Sequence, residues 1–265
     1  MVVESVGRVY RIGMTSQETA APVHVLVWAE HVEDQSNPAV RETYPATMHE
    51  TIAEALRRIL GPDVEATTAT FHDPRQGLAA DRLNATDVLI WWSHLIDDRI
   101  DDEAAERVRH RVLDGMGLIV LHSGSLSKAF RGLMGTRCTF MWREGNDREL
   151  LWTVAPAHPI ARGVPHPVVI PVHEMYGEFF DVPEPDSLVF VSSFTGGEIM
   201  RSGMCWSRGL GRVFYFSPGH EEHPVYHQAE IQRILANAVL WCAPQPHAFA
   251  TDAWPARETG WFENR

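Results

Sequence analysis

The first half of the sequence alternates short apolar runs with helical segments, and this alternation limits the fold more than any other feature. The apolar runs are VHVLVWA, VEATTATF, DVLIWW and MGLIVL. Between them lie YPATMHETIAEALRRIL, with apolar residues at helical spacing, and DDEAAERVRHRVLDG, with acids first and basic residues later. Strands that alternate with helices form right-handed βαβ units, so the pattern predicts a parallel sheet with helices on both faces.

The second half of the chain has a different pattern. The runs SLVFVSSF, EIMRSGMCW and GRVFYFS follow one another across glycine turns at Gly196-Gly197 and Gly209-Leu210-Gly211. Consecutive strands with short connections indicate an antiparallel meander. The segment AEIQRILANAVLWC then predicts a final helix, which Pro244 and Pro246 end. The expected fold class is therefore α/β, mostly parallel, with an antiparallel meander near the C-terminus.

The organisation of the chain favours one domain, because no repeat, low-complexity tract or interdomain linker interrupts its 265 residues. We expect a flexible N-terminal arm over residues 1–21 and a single α/β domain over residues 22–243. A C-terminal tail over residues 244–265 is expected to pack on that domain.

Charge and cysteine content exclude several classes of protein. A formal net charge of −12 disfavours nucleic acid and anionic membranes as partners, because phosphate binding needs clustered Lys and Arg. No run reaches the length of a membrane span, and no P-loop or GxGxxG motif indicates a nucleotide cofactor. An odd number of cysteines favours reduced thiols and a cytoplasmic location. These are Cys138, Cys205 and Cys242.

Histidines and acids cluster at the carboxyl ends of the predicted strands, where open α/β sheets bind ligands. Because these ends share one edge of a sheet, we expect at least three of the groups to meet in one pocket. The groups in chain order are Glu30 and His31, His72 and Asp73, Ser93 and His94, His122 and Ser123, His173 and Glu174, and His220, Glu221 and Glu222.

The residue types leave the chemistry of such a pocket open. Two imidazoles and a carboxylate can hold a divalent metal with an open position, and the same groups can transfer protons without a metal. Other histidines favour structural interpretations: His72 in a loop and His49 within a helix. His223 and His227 flank Pro224, which favours a solvated loop for both.

The segment LHSGS lacks the GxSxG pattern of a serine nucleophile, because Leu121 replaces the first glycine. Ser123-Gly124 instead predicts a turn with backbone N–H groups that face the pocket. Aromatic residues near the same loops could stack on sugar rings, although a position inside a strand favours a core role for Trp28 and Trp92. Trp142 and Tyr176 also lie near these loops.

Six segments resemble the trehalose-utilisation (ThuA-like) family of the class I glutamine amidotransferase-like superfamily, from about residue 23 to about residue 242. They are VLVWAEHVEDQSNPAVRETYPATMHETIAEALR, LIVLHSGSLSKAFRGLMGT, WREG, HPIARGV, HEMYGEFFDVPEPDSLVFVSSFTGGEIMRSG and RGLGRVFYFSPGHEEHPVY. The resemblance implies a doubly wound, flavodoxin-like sheet. In the amidotransferases a cysteine occupies the strand-to-helix elbow; here that region reads Leu121-His122-Ser123-Gly124, which argues against glutamine hydrolysis. His220 and Glu221 fall in the region of the later catalytic pair.

The resemblance further implies work on trehalose or a related disaccharide, after a separate NAD-dependent dehydrogenase has formed a 3-keto sugar. The segments LHSG, HEMYGE and SPGHE resemble pocket motifs of the family and nominate His122, Glu174, Tyr176 and His220. We expect Glu174 to act as the base, and His122 and His220 to hold a metal or donate protons.

Further assignments complete the expected site. Zinc or manganese is the expected type of metal, with His31 as an additional ligand beside His122, Glu174 and His220. Substrate contacts are expected from Glu30, Tyr176, Trp28, Trp92 and Ser123. A homo-oligomer is expected.

Three alternatives stay open. The chain could bind or sense a sugar without catalysis, or serve as a subunit of the dehydrogenase. Direct glycoside hydrolysis would need two facing carboxylates, for which Glu30, Glu174 and Glu221 are available.

Overall fold

The computed structural model describes residues 21–245, 259–260 and 263. Apart from a few residues, the expected N-terminal arm and C-terminal tail lie outside these ranges. Within them the strands are β1 Val23–Ala29, β2 Val64–Thr70, β3 Val88–Trp92, β4 Gly117–Leu121, β5 Met141–Thr153, β6 Val168–Gly177, β7 Ser187–Phe194, β8 Ile199–Arg208 and β9 Gly211–Phe216. The helices are α1 Glu33–Ser36, α2 Pro38–Thr43, α3 Met48–Leu60, α4 Ala80–Asn84, α5 Asp102–Leu113, α6 Lys128–Met134 and α7 Ala229–Cys242.

The strands of the described residues form one sheet in the order β2-β1-β3-β4-β9-β8-β7-β5-β6. Strands β2, β1, β3, β4 and β9 pair in parallel. Counted along the chain, these five have the order 2-1-3-4-5, which is the flavodoxin order. The remaining pairs are antiparallel. The predicted fold class, including the meander β7-β8-β9, is confirmed.

Helices cover both faces of the sheet and bury two separate apolar clusters. One cluster contains Ile52 of α3 and Leu235 of α7, and the other contains Val108 of α5 and Phe130 of α6. Helix α3 begins four residues after the start of its predicted segment, because the Thr47 side chain accepts the N–H of Glu50 and caps the helix there. The three cysteines are free and buried.

The hairpin of β5 and β6 is the main element that sequence patterning did not predict. Strand β5 is rich in charged residues, so it lacks the apolar alternation that indicates a strand. Its register against β6 shifts between Arg143 and Asp147 and again between Asp147 and Glu149. Such bulges bend a strand and redirect its side chains. His173 and Glu174 accordingly lie inside β6, rather than after a strand as predicted.

Candidate functional site

His122 lies at the elbow where β4 gives way to a 3-10 turn over His122–Leu126. Its φ angle of 50° is in the left-handed region, which is uncommon for a residue with a side chain. The ring is buried, and its Nδ1 lies 2.9 Å from the carbonyl oxygen of Ser217. Because a carbonyl can only accept, Nδ1 donates and the neutral ring has a lone pair on Nε2.

Glu174 faces that lone pair, with its Oε2 3.0 Å from His122 Nε2. Neither a carboxylate oxygen nor a bare imidazole nitrogen can donate, so the contact needs one proton between the two atoms. Burial and the positive charge of His173 hold the pKa of His122 well below its usual value. His122 therefore does not readily take a second proton, and its Nε2 is an acceptor for a proton bound to Glu174.

His220 completes the group from the loop after β9. Its Nδ1 accepts the backbone N–H of Glu222 at 3.0 Å, so the neutral ring has its proton on Nε2. This Nε2 lies 3.3 Å from Glu144 Oε2 and 3.8 Å from Glu174 Oε2. Burial, and then the neighbouring His122, lower the pKa of His220 to about 2. His220 is therefore a neutral donor directed at two carboxyl groups.

Tyr176 forms an aromatic wall beside this group. Its ring stacks on that of His122 with 4.3 Å between centroids and 8° between planes, and Phe140 packs on it at 4.1 Å. Burial and the Glu174 charge raise the pKa of Tyr176 well above its usual value. The phenol stays protonated and can donate a hydrogen bond.

A buried ion pair positions the loop that carries His220. His173 Nδ1 lies 2.6 Å from Glu149 Oε2, with both side chains fully buried, and His173 Nε2 lies 2.9 Å from the Gly219 oxygen. Burial lowers the pKa of His173, but the Glu149 carboxylate outweighs it and the net shift is upward. With the bond from His122 to Ser217, two histidines hold residues 217–220 from opposite ends.

A second acidic group continues the site along the sheet edge. His94 Nδ1 lies 2.9 Å from Glu221 Oε1 and 3.5 Å from Glu33 Oε2. These two carboxyls raise the pKa of His94 to about 11, and His94 lowers that of Glu33 to about 2. Burial raises the pKa of Glu221 to about 8. Oε2 of Glu221 lies 3.7 Å from His220 Nδ1.

His31, expected as an additional metal ligand, does not join His122, Glu174 and His220. One ligand atom from each of the latter three lies within 4.8 Å of the others, whereas His31 belongs to a separate group with Asp34 and His49.

The two tryptophans expected to contact substrate are core residues. Trp28 is fully buried, stacks on Trp91 at 4.1 Å and donates its Nε1–H to the Gln76 oxygen. Trp92 belongs to the cluster on the other face of the sheet. Because alternate residues of buried parallel strands enter opposite cores, neither ring presents a face to a sugar.

Glu30 and Ser123, expected to contact substrate, bind backbone groups of neighbouring loops. Oε2 of the buried Glu30 accepts the backbone N–H groups of three consecutive residues after β3, His94 to Ile96, at 2.6 to 3.3 Å. Ser123 Oγ donates to the Ser93 oxygen at 2.8 Å. Both side chains are committed to the backbone after β3.

Three other histidines were predicted to lie in loops, and the structure differs from this prediction for one of them. His223 is buried, with its ring 4.7 Å from that of His220 and its Nε2 3.5 Å from Glu144, so the expected solvated loop is wrong for it. His227 is exposed and contacts the Thr43 oxygen, and His72 contacts the His31 oxygen from an exposed loop, as expected for both.

Sequence reasoning assigned no role to Glu144, Glu149 or His173. Glu144 occurs in the motif WREG, which carried the family resemblance and could have nominated it. His173 adjoins Glu174, and its position at a supposed strand end was the available signal. Glu149 had none, because it lies in a charged segment whose burial follows from the bend of β5.

Comparisons with known proteins bear on family and fold. A family model described as trehalose utilisation matches residues 24–242, and no curated protein matches the chain. None of the helices in the described ranges combines the length and apolar character needed to cross a membrane.

Solved structures with the same fold include two ThuA-like proteins. The one from Bacteroides uniformis is 16% identical, covers 87% of this chain and 95% of its own, and has a TM-score of 0.62. The one from Parabacteroides merdae is 13% identical, covers 88% and 93%, and has a TM-score of 0.61. A cytoplasmic protein from Salmonella typhimurium is 16% identical, with coverages of 83% and 99% and a TM-score of 0.52. At these identities the likeness concerns the fold.

Proposed function

Since the chain belongs to the trehalose-utilisation (ThuA) family, we propose that it processes a 3-keto derivative of trehalose, of a related disaccharide or of glucose. A separate NAD-dependent dehydrogenase would supply the ketone. We place this reaction in the cytoplasm, in line with the description of the similar Salmonella protein, and assign it to a homo-oligomer.

The 3.0 Å contact between Glu174 Oε2 and His122 Nε2 is the observation that carries the proposal. The ionised carboxylate of Glu174 is the base, and the acid formed when it takes a proton donates a hydrogen bond to the lone pair on His122 Nε2, 3.0 Å away. The pair thus gives one positioned base in a buried polar cluster.

The chemistry follows from the acidity of C–H bonds next to a ketone. Glu174 takes the proton from C2, and the C–H electron pair forms an enolate whose oxygen lies on C3. The Tyr176 hydroxyl and the Nε2–H of His220 are the donors available to that oxygen. Return of the proton to the opposite face of C2 restores the C3 ketone and gives the C2 epimer of the sugar. Departure of the glycosidic oxygen from C1, with a proton from Glu221 or water, completes an elimination.

A metal-assisted form of the same reaction is a second candidate, because the ligand atoms of His122, Glu174 and His220 are close enough for one divalent ion. His122 Nε2 and the Glu174 carboxylate suit zinc or manganese. His220 suits it less well, because its Nδ1 already accepts an N–H and its proton is on Nε2. A bound metal would polarise the ketone.

Direct hydrolysis of a glycoside is the rival reaction. Two carboxyl groups, from Glu144 and Glu174, approach the same nitrogen of His220. Such a pair could flank a glycosidic bond. This rival needs no ketone, so it acts on trehalose itself.

The test compares purified protein on 3-keto-trehalose and on trehalose, with metal content measured on the same sample. We expect turnover of the keto sugar alone, and a fall of at least about 100-fold in Glu174→Gln. The control is Glu222→Gln, an exposed carboxyl of the same loop that binds Asn37. Equal turnover by Glu174→Gln and wild type would contradict the mechanism, and turnover of trehalose alone would favour hydrolysis.

A further inference from the structure

A second group of potential metal ligands lies after β1, apart from the site above. It consists of His31, Asp34 of α1 and His49 in the first turn of α3, and it shares no residue with the group of His122. One ligand atom from each of the three lies within 4.8 Å of the others. Two imidazoles and one carboxylate, from the loop after β1, from α3 and from α1, thus lie close together.

His49 has an unused nitrogen inside this group. The residue is 6% exposed, and its Nδ1 is buried with no hydrogen-bond partner among the described residues. Its Nε2 lies 3.2 Å from Thr47 Oγ1, which can accept the Nε2–H. That bond leaves a lone pair on Nδ1, which is the state a metal needs. A buried polar atom without a partner destabilises the fold, so a ligand there would remove a penalty.

In His31 and Asp34, a metal ion can replace the proton that lies between the two side chains. His31 Nδ1 lies 2.7 Å from Asp34 Oδ2, with side chains 24% and 13% exposed. Ligand atoms around tetrahedral zinc are about 3.3 Å apart, so the two atoms need to separate by about half an ångström. Partial exposure leaves room for a water molecule as fourth ligand. The φ angle of 51° at His31 directs its side chain from an uncommon backbone conformation.

We propose that His31, Asp34 and His49 form a zinc site with a water-accessible fourth position. Imidazole nitrogen and carboxylate oxygen are a donor set that zinc accepts readily, whereas magnesium and calcium prefer oxygen alone. Thr47 acts behind the metal, because it fixes the tautomer of His49.

Helix α1 connects the proposed zinc site to the reaction centre. Helix α1 has four residues, of which Asp34 faces the zinc group and Glu33 faces His94. A metal bound to Asp34 would fix α1 and thereby the Glu33 carboxylate beside His94 and Glu221. Zinc at this position would hold Glu33 in place and would take no part in the reaction. The proposal is therefore independent of the sugar chemistry.

Zinc binding to the full chain tests the proposal. The metal-free protein is titrated with zinc in competition with a chromophoric chelator, for wild type, His49→Ala, Asp34→Asn and the double variant His122→Gln/Glu174→Gln. We expect the first two variants to bind zinc at least about 100-fold more weakly at one site, since loss of an outer partner alone costs 10- to 100-fold. We expect the double variant to keep this site.

Cobalt absorption supplies a second readout and a check on folding. Wild type and the double variant should show the visible bands of a low-coordinate cobalt site, and Asp34→Asn should lose them while its far-ultraviolet circular dichroism is unchanged. Zinc affinity and stoichiometry equal to wild type in both His49→Ala and Asp34→Asn would overturn the proposal. So would loss of all zinc binding in the double variant alone.

Discussion

At the scale of single residues, the hydrogen bonds that fix tautomers determine what each imidazole can do. The Ser217 carbonyl puts the proton of His122 on Nδ1, and the Glu222 N–H puts that of His220 on Nε2. Two histidines of one pocket therefore have opposite roles, since one offers a lone pair and the other a proton. Sequence could nominate both residues, but not their tautomers, because the partners are backbone groups whose positions depend on the folded loop after β9.

Trp142 is the residue whose replacement tests sugar binding apart from catalysis. It is 62% exposed and lies opposite Tyr176 in the β5–β6 ladder, so both side chains are on the same face of the hairpin. If its ring stacks on the sugar, Trp142→Ala should raise KM by about 10-fold with little change in kcat. The control is Trp152→Ala, on the same strand and partly exposed, which should leave both constants unchanged. Equal kinetics in the two variants would remove Trp142 from the substrate site.

Asp97 allows a stability test that is separate from activity. Burial, and to a lesser degree the Glu30 charge, raise its pKa to about 7, although the Ser93 hydroxyl opposes the shift. Between the unfolded pKa near 3.8 and about 7, the folded state binds more protons, so the contribution of Asp97 to stability falls as pH rises. Asp97→Asn keeps the bond from Ser93 and removes this dependence.

The free energy of unfolding of wild type and Asp97→Asn should therefore diverge with pH. We expect the advantage of the variant to grow from pH 4 to pH 7 by up to about 4 kcal/mol and then to level off. Urea unfolding at several pH values measures the difference. A difference that is independent of pH would show that Asp97 is ionised in the folded protein throughout.

At the scale of elements, the loop after β9 is the part of the fold on which the site depends most closely. Gly219 has a φ angle of 154°, and a Cβ there would collide with the Tyr226 hydroxyl. Gly219→Ala should displace His220 and destabilise the protein by about 1–3 kcal/mol. The turnover rate should fall by more than the loss of folded protein explains. The reason is that the substitution displaces His220 and, together with it, the Gly219 carbonyl that contacts His173.

Tyr226→Phe provides the matched background for this test. The Tyr226 hydroxyl is buried without a partner among the described residues, so its removal should cost little. In Tyr226→Phe, Gly219→Ala should be less harmful than in wild type, since the closest atom is gone. Additive effects of the two substitutions, measured by thermal unfolding and turnover, would contradict the steric explanation.

The same scale shows why sequence predicted some elements and not others. Strands β1, β3 and β4 are apolar runs because helices cover both faces of the sheet. Such runs can be recognised in the sequence. Strand β5 is charged and owes its bend to register shifts that no local pattern encodes. For this reason Glu174 was expected after the end of a strand, whereas it lies within β6.

At the scale of the whole molecule, the arrangement of the sheet brings the site together. The carboxyl ends of β1, β3, β4 and β9 deliver the histidines and acids that follow them, and the bent hairpin of β5 and β6 adds Glu174 from the opposite side. Strand-end reasoning could predict the first contribution, since it depends on parallel topology. It could not distinguish Glu30, which binds backbone, from Glu174, which faces an imidazole, because that difference arises only in the packed structure.

The central claim is that Glu174, assisted by His122, removes a proton from carbon next to a ketone. The most direct measurement is exchange of the C2 hydrogen of 3-keto-trehalose for deuterium in D₂O, followed by NMR with wild type and Glu174→Gln at equal concentration. We expect rapid exchange with wild type and a rate at least about 100-fold lower with the variant. Exchange by Glu174→Gln at the wild-type rate, or none above the uncatalysed rate with wild type, would contradict the account.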